Sequence, residues 1–114
     1  GGSKVLIMGF TFKENCCDTR NTGTSYLIDE LLEYDMKPIV WDPWINEDQS
    51  YNGCLIKKDL TLSNIDYSAI LLTVAHKQFV NLTINEWNTI TKNGESIIID
   101  LKGAVPKSMN PLGI

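Results

Sequence analysis

The sequence predicts a small three-layer α/β domain, a mainly parallel sheet with helices on both faces. Three observations carry this expectation. Apolar runs of strand length, ended by turn residues, occur at Lys4–Phe10, Ala69–Ala75 and Ser96–Asp100, the pattern of strands buried on both faces. Between the first run and another at Pro38–Asp42 lies a segment of helical period. Leu27, Ile28, Leu31 and Leu32 mark one side of it, and Asp29, Glu30 and Glu33 the other. A strand–helix–strand order of that length makes a crossover, and crossovers join parallel strands. With 114 residues, the chain has room for one such core and not for two.

The elements follow in order. Lys4–Phe10 is the first strand. The helix reads Thr24–Met36, with Thr22 or Thr24 able to cap its start and Pro38 forcing its end. Pro38–Asp42 is the second strand, closed by Asp42-Pro43. Residues 44–53 are polar and read as a loop with a helical turn. A short strand is expected at Cys54–Ile56 and a helical turn within Leu60–Ile65. Ala69–Ala75 reads as the central strand. Ile84, Trp87 and Ile90 stand three apart and predict a helix ending near Asn93-Gly94. Ser96–Asp100 is the last strand, and the proline-bearing tail from Ala104 is irregular.

Composition narrows the classes. Hydrophobic residues at 43% and charged residues at 21% are ordinary for a globular domain. A net charge of -4 leaves no footprint for nucleic acid or an anionic membrane. No apolar run approaches the roughly 20 residues of a membrane span, and no charged-then-apolar leader is read; the odd number of cysteines makes a reducing cytoplasm the expected setting. Gly1–Ser3 resembles the remnant of an expression tag, which leaves 4–114 as the domain. Three cysteines make no disulfide framework, and with 1 histidine in the chain no structural metal site is expected. The triplet Asn81-Leu-Thr83 is discounted as a glycosylation signal.

In open parallel sheets, ligands bind beyond the carboxyl ends of the strands. Lys13 follows the first strand, Asp42 ends the second, His76 and Lys77 follow the central one, and Lys102 follows the last. Arg20 lies near the start of the first helix. Lys13, Arg20 and Lys102, with the free N–H groups of a helix start, would make a receptor for a phosphate-bearing ligand; solvated strand-end lysines are the plainer alternative. Asp42 stands where a dinucleotide fold holds ribose, yet of the glycines such a fold needs only Gly9 is present, and a turn-initiating role suits Asp42-Pro43 better. No local motif supplies His76 with a nucleophile. Cys16 and Cys17 lie near cations that would activate a thiol, and packing is the alternative. Trp41, Trp44 and Trp87 read as core or interface residues.

Lys4 through Thr22 resembles the opening of the C-terminal, nucleotide-sugar-binding domain of the UDP-glucose/GDP-mannose dehydrogenase family. The pattern is an apolar strand, then G-x-x-F-K, then D-x-R-[NE]-[ST]. Gly9, Phe12, Lys13, Asp18, Arg20, Asn21 and Thr22 match it. The likeness continues through Trp41-Asp42-Pro43, Asp66–Ile70, Ala75-His76 to Phe79, and Ile99–Gly103. The version T-F-K-E-N-C, with D-x-K-G at the end, resembles the branch that oxidises UDP-N-acetylhexosamines for surface polysaccharide and capsule. Cys17 departs from it, where proline is expected.

The resemblance implies a Rossmann-like fold in which Phe12, Lys13 and Lys102 contact the UDP-sugar. It implies that Arg20 reaches NAD across an interdomain cleft, the cofactor being held mainly by an N-terminal domain. The family oxidises the sugar's C6 alcohol to a carboxylate in two NAD-dependent steps, using a cysteine nucleophile that Cys16 and Cys17 do not match. No catalytic residue is therefore expected here, and the chain alone should be inactive. The implied partners are the N-terminal and central domains of the same chain, in a homodimer or higher assembly. The UDP-glucose and GDP-mannose branches remain alternatives, as does a nucleotide-binding module without chemistry. A receiver-like signalling domain fails for want of acids after the first strand.

Overall fold

The computed structural model describes residues 2–19, 22–61 and 66–113. Among these residues six strands form one sheet: β1 (Lys4–Met8), β2 (Lys37–Trp41), β3 (Gln49–Tyr51), β4 (Cys54–Lys57), β5 (Ala69–Leu72) and β6 (Ile97–Asp100). Helix α1 (Thr22–Glu33) joins β1 to β2, while α2 (Lys77–Val80) and α3 (Ile84–Ile90) lie between β5 and β6. The strand order is β3-β4-β2-β1-β5-β6. Every pairing is parallel except the β3–β4 hairpin.

Alternation along β1 sorts the core into two layers. Leu6 and Met8 pack with Phe79, Trp87 and Ile90 of α2 and α3, and Val5 and Ile7 pack with Ile28 of α1. The central strands are buried on both faces, which is why they read as continuous apolar runs. The expected helices on both faces are present.

Several boundaries differ from expectation. Helix α1 stops at Glu33, because Asp35 takes a left-handed φ of 60°. The Met36 N–H then bonds back to the Leu31 carbonyl (3.0 Å) and the Asp35 N–H to that of Leu32 (3.1 Å). Pro38 is buried inside β2 and is not the stop. Thr22 is the first helical residue and Thr24 the third, so Thr24 is no cap; the preceding residue, Asn21, lies outside the described residues. Part of the polar stretch 44–53 is β3, an edge strand turned by Asn52-Gly53 at φ 49° and 81°. The turn expected within Leu60–Ile65 falls mostly outside the described residues. Gly2 and Ser3 join the sheet end, with the Gly2 N–H on the Asp35 carbonyl (2.7 Å) and the Lys37 N–H on that of Ser3 (2.8 Å). Among the described residues no helix is long and apolar enough to cross a membrane.

Candidate functional site

From β1 the chain crosses to β2 on one side, and β5 lies on the other. The order therefore reverses at β1/β5, and the crevice above their carboxyl ends is where such sheets take ligands. A cleft of about 400 Å³ lies there, lined by Phe12, Gly23, Thr24, Tyr26, Leu27, Thr73, Leu101 and Lys102. Gly23 and Thr24 belong to the first turn of α1, whose N–H groups have no helical acceptor and carry partial positive charge. Lys102 adds a full charge from the opposite wall. Phe12 and Tyr26 form an exposed aromatic rim. A positive floor and an aromatic rim together suit a phosphate joined to a flat ring.

The loops that shape the cleft are braced from within. Gly9 has φ 121°, and a Cβ there would lie 2.6 Å from the Val74 Cβ. Only glycine lets β1 turn this close to the end of β5. The next residues are gathered by Asp42, which is fully buried. Its Oδ2 accepts the Phe10 N–H (2.6 Å) and the Thr11 N–H (2.9 Å), and its Oδ1 accepts the Trp44 N–H (2.8 Å). Burial alone would raise this carboxyl, but hydrogen bonds from His76 and from the Phe10, Thr11 and Trp44 backbone outweigh it and hold it below its ordinary value.

His76, also fully buried, lies against Asp42 with Nε2 3.0 Å from Oδ2. Its Nδ1 accepts the Asn15 N–H at 2.8 Å. A backbone N–H can only donate, so Nδ1 carries no proton and Nε2 carries the ring's single one. The pair is a hydrogen bond from imidazole to carboxylate, not an ion pair. Thr11 Oγ1 donates to the Lys13 carbonyl (3.2 Å) and lies 3.0 Å from His76 Nε2. The Asn15 side chain in turn accepts the Lys77 N–H at 2.9 Å.

The wall carrying Lys102 is braced by Asp100. Its carboxylate accepts the Lys102 N–H (3.0 Å) and the Val105 N–H (2.8 Å). Burial would raise its pKa, and the backbone N–H groups of residues 102–105 bring it below the ordinary value instead.

Of the residues singled out from the sequence, Phe12 and Lys102 line the cleft. Lys13 is exposed beside Phe12 and is not part of the lining. Arg20 lies outside the described residues. Asp42 does initiate the turn at Pro43, and it also anchors the first loop. Cys16 is half-buried and Cys17 exposed. Sequence reasoning passed over Thr24, Tyr26, Thr73 and Leu101, whose signal was their place at strand ends and the helix start. It also passed over Asp100, which a strand-end acid before Lys102-Gly103 announces as a loop brace.

An open parallel sheet with a cation-bearing cleft at its switch point defines a Rossmann-like nucleotide-binding domain, and the sequence profile of one such family matches residues 6–107. The chain belongs to the UDP-glucose/GDP-mannose dehydrogenase family, as its UDP binding domain. It is 39% identical over 101 residues to UDP-N-acetyl-D-glucosamine 6-dehydrogenase of Pseudomonas aeruginosa, covering 89% of this chain and 24% of that one. With the enzyme of the same name from Salmonella typhi it shares 35% over 105 residues, 92% of this chain and 24% of the relative. The chain thus spans about a quarter of the length of these curated relatives. The crystal structure of NDP-N-acetyl-D-galactosaminuronic acid dehydrogenase from Methanosarcina mazei Go1 has the same fold, with a TM-score of 0.77 over 95% of this chain and 22% of that one, at 24% identity.

Proposed function

We propose that the domain binds the nucleotide sugar of an NAD-dependent UDP-sugar 6-dehydrogenase. The parent enzyme would oxidise the C6 alcohol of a UDP-N-acetylhexosamine to a carboxylate, for surface polysaccharide synthesis. The observation that carries this reading is the switch-point cleft, with Lys102 facing the start of α1 under the Phe12 and Tyr26 rim. A sugar diphosphate brings about two negative charges, and a lysine is a compact partner for them. Helix N–H groups add donors at no conformational cost. Phe12 offers a face to base or sugar. Lys13, next along the loop, would meet the ligand from outside the cleft.

The domain's own first turn does not fit a dinucleotide. It lacks the glycines that bring a pyrophosphate close, and Asp42, where a ribose partner would stand, is buried and spent on four hydrogen-bond donors. NAD would therefore be held mainly by the N-terminal domain, where it accepts hydride. From this domain Arg20 would contribute a planar fork suited to phosphate.

Titrating the 15N-labelled chain with UDP and UDP-N-acetylglucosamine tests the reading. Shifts should concentrate at Phe12, Gly23–Leu27, Thr73 and Leu101–Lys102, with an affinity on the order of millimolar for half of a two-domain site. Shifts confined to Lys4, Lys37 and Ile39, at the opposite end of the sheet, would overturn it.

A further inference from the structure

We propose that His76 is a positioning residue, which holds the Phe12–Glu14 tip of the first loop over the cleft by tying together its two feet, Thr11 and Asn15. The ring meets the first foot through Nε2, 3.0 Å from Thr11 Oγ1, and the second through Nδ1, 2.8 Å from the Asn15 nitrogen. The one Nε2 proton is shared between Asp42 Oδ2 and Thr11 Oγ1, and the spacing of the two ring nitrogens is fixed covalently, so the feet cannot separate without weakening a bond to His76. The ring cannot turn either. It is fully buried, stacked 6.1 Å from Trp44 and tilted 5.5 Å from Phe79.

Between the feet, among the described residues, the tip is held only locally, its Lys13 carbonyl accepting the Thr11 hydroxyl at 3.2 Å. Phe12 is 60% exposed, and Lys13 and Glu14 are exposed. The Phe12 N–H bonds to the Asp18 carbonyl, which closes the loop on itself but not onto the sheet. Asn15 stands at φ 55°, a left-handed conformation that asparagine tolerates and that aims its N–H inward at the ring. Its side chain takes the Lys77 N–H, so the second foot rests on the residue after His76. The bond from Nε2 to Asp42 fixes the tautomer that leaves Nδ1 free to accept. Asp42 sets the proton, His76 sets the loop, and the loop presents Phe12.

The ring's two jobs can be separated by substitution. The asparagine side-chain oxygen can stand near Nδ1 of histidine, and the glutamine side-chain nitrogen near Nε2. His76→Asn keeps an acceptor for the Asn15 N–H and loses the donor to Asp42 and Thr11, but the first foot stays on Asp42 through the Thr11 N–H. His76→Gln keeps the donor and loses the acceptor. Amide exchange at residues 12–15 of the ligand-free chain, compared with global stability from urea unfolding of each variant, should be faster in His76→Gln than in His76→Asn by about tenfold, the upper end for one neutral hydrogen bond. Equal exchange in the two variants would overturn the proposal, because a purely structural histidine gives that result.

Should both variants fail to fold, the parent chain still decides. Side-chain 15N spectra of His76 should show a protonated Nε2 and a bare Nδ1, and a protonated Nδ1 would overturn the proposal. The consequence for ligand rests on the function proposed above. Affinity for UDP-N-acetylglucosamine should fall about three- to tenfold in His76→Gln and be largely kept in His76→Asn. A parent chain that binds no UDP-sugar would remove that function, while the exchange comparison would still test the loop.

Discussion

At the scale of single residues, two buried carboxylates do most to shape the cleft, and both make stability depend on pH. Asp42 and Asp100 lie below their ordinary values in the folded chain, because backbone N–H groups, and for Asp42 also His76, outweigh the cost of burial. In acid the unfolded chain therefore binds more protons than the folded one, so stability rises with pH. Their contribution is complete above the unfolded carboxylate value near 4, and it is lost as pH falls through the lower folded values. Urea midpoints should drop steadily below about pH 4. Asp42→Asn should flatten part of that fall and cost about 3 kcal/mol at pH 7, since either way round the amide N–H₂ would face a backbone N–H, that of Trp44 or those of Phe10 and Thr11. An unchanged acid limb would show that Asp42 is not the coupled group. Residue type and place exposed Lys102 as a candidate from the sequence, and the family resemblance added Phe12. They could not expose the joint work of Asp42 and His76, because 34 positions separate the pair and only the sheet order brings them together.

At the scale of elements, what was legible was whatever a local period or turn residue encodes. The strands β1, β2, β4, β5 and β6 and the helices α1 and α3 came through because their apolar faces are required by burial. The hairpin strand β3 did not, since Gln49–Tyr51 lies at the sheet edge with polar, largely exposed residues and so has no apolar run. Its one sequence signal was Asn52-Gly53, the residues a two-residue hairpin turn needs. The hairpin is tied to α1 by Asp29, which accepts the Tyr51 hydroxyl (2.9 Å) and the Asn52 side chain (2.8 Å). Helix α3 carries a capping box: Thr83 Oγ1 accepts the Glu86 N–H at 3.1 Å, and the Glu86 carboxylate accepts the Thr83 N–H at 2.9 Å. Thr83→Ala should cost about 1 kcal/mol in chemical denaturation. A loss below a few tenths would mean that Trp87 and Ile90 hold the helix without help from its cap.

At the scale of the whole molecule, topology decides where the ligand goes. The reversal of strand order at β1/β5 places the ends of β5 and β6 opposite the start of α1, and no periodicity in the chain announces that reversal. The two margins of the sheet are finished differently. On one side β3 is only three residues long and runs antiparallel to its neighbour. On the other, the tail folds back along β6: the Leu112 N–H bonds to the Ile98 carbonyl, and the Leu112 carbonyl accepts the Asp100 N–H, both at 2.8 Å. A margin of unpaired strand is a template onto which a second copy can polymerise. Leu112 occupies that template from within the same chain, like the last stitch that keeps a hem from unravelling. Deleting residues 111–114 should leave the β6 margin open and make light scattering at high protein concentration rise with time, where the parent stays clear. Scattering equal to the parent's would show that the margin is guarded by something else. If the stitch holds, a few residues at the sheet margin set how concentrated this protein can become before it assembles with itself.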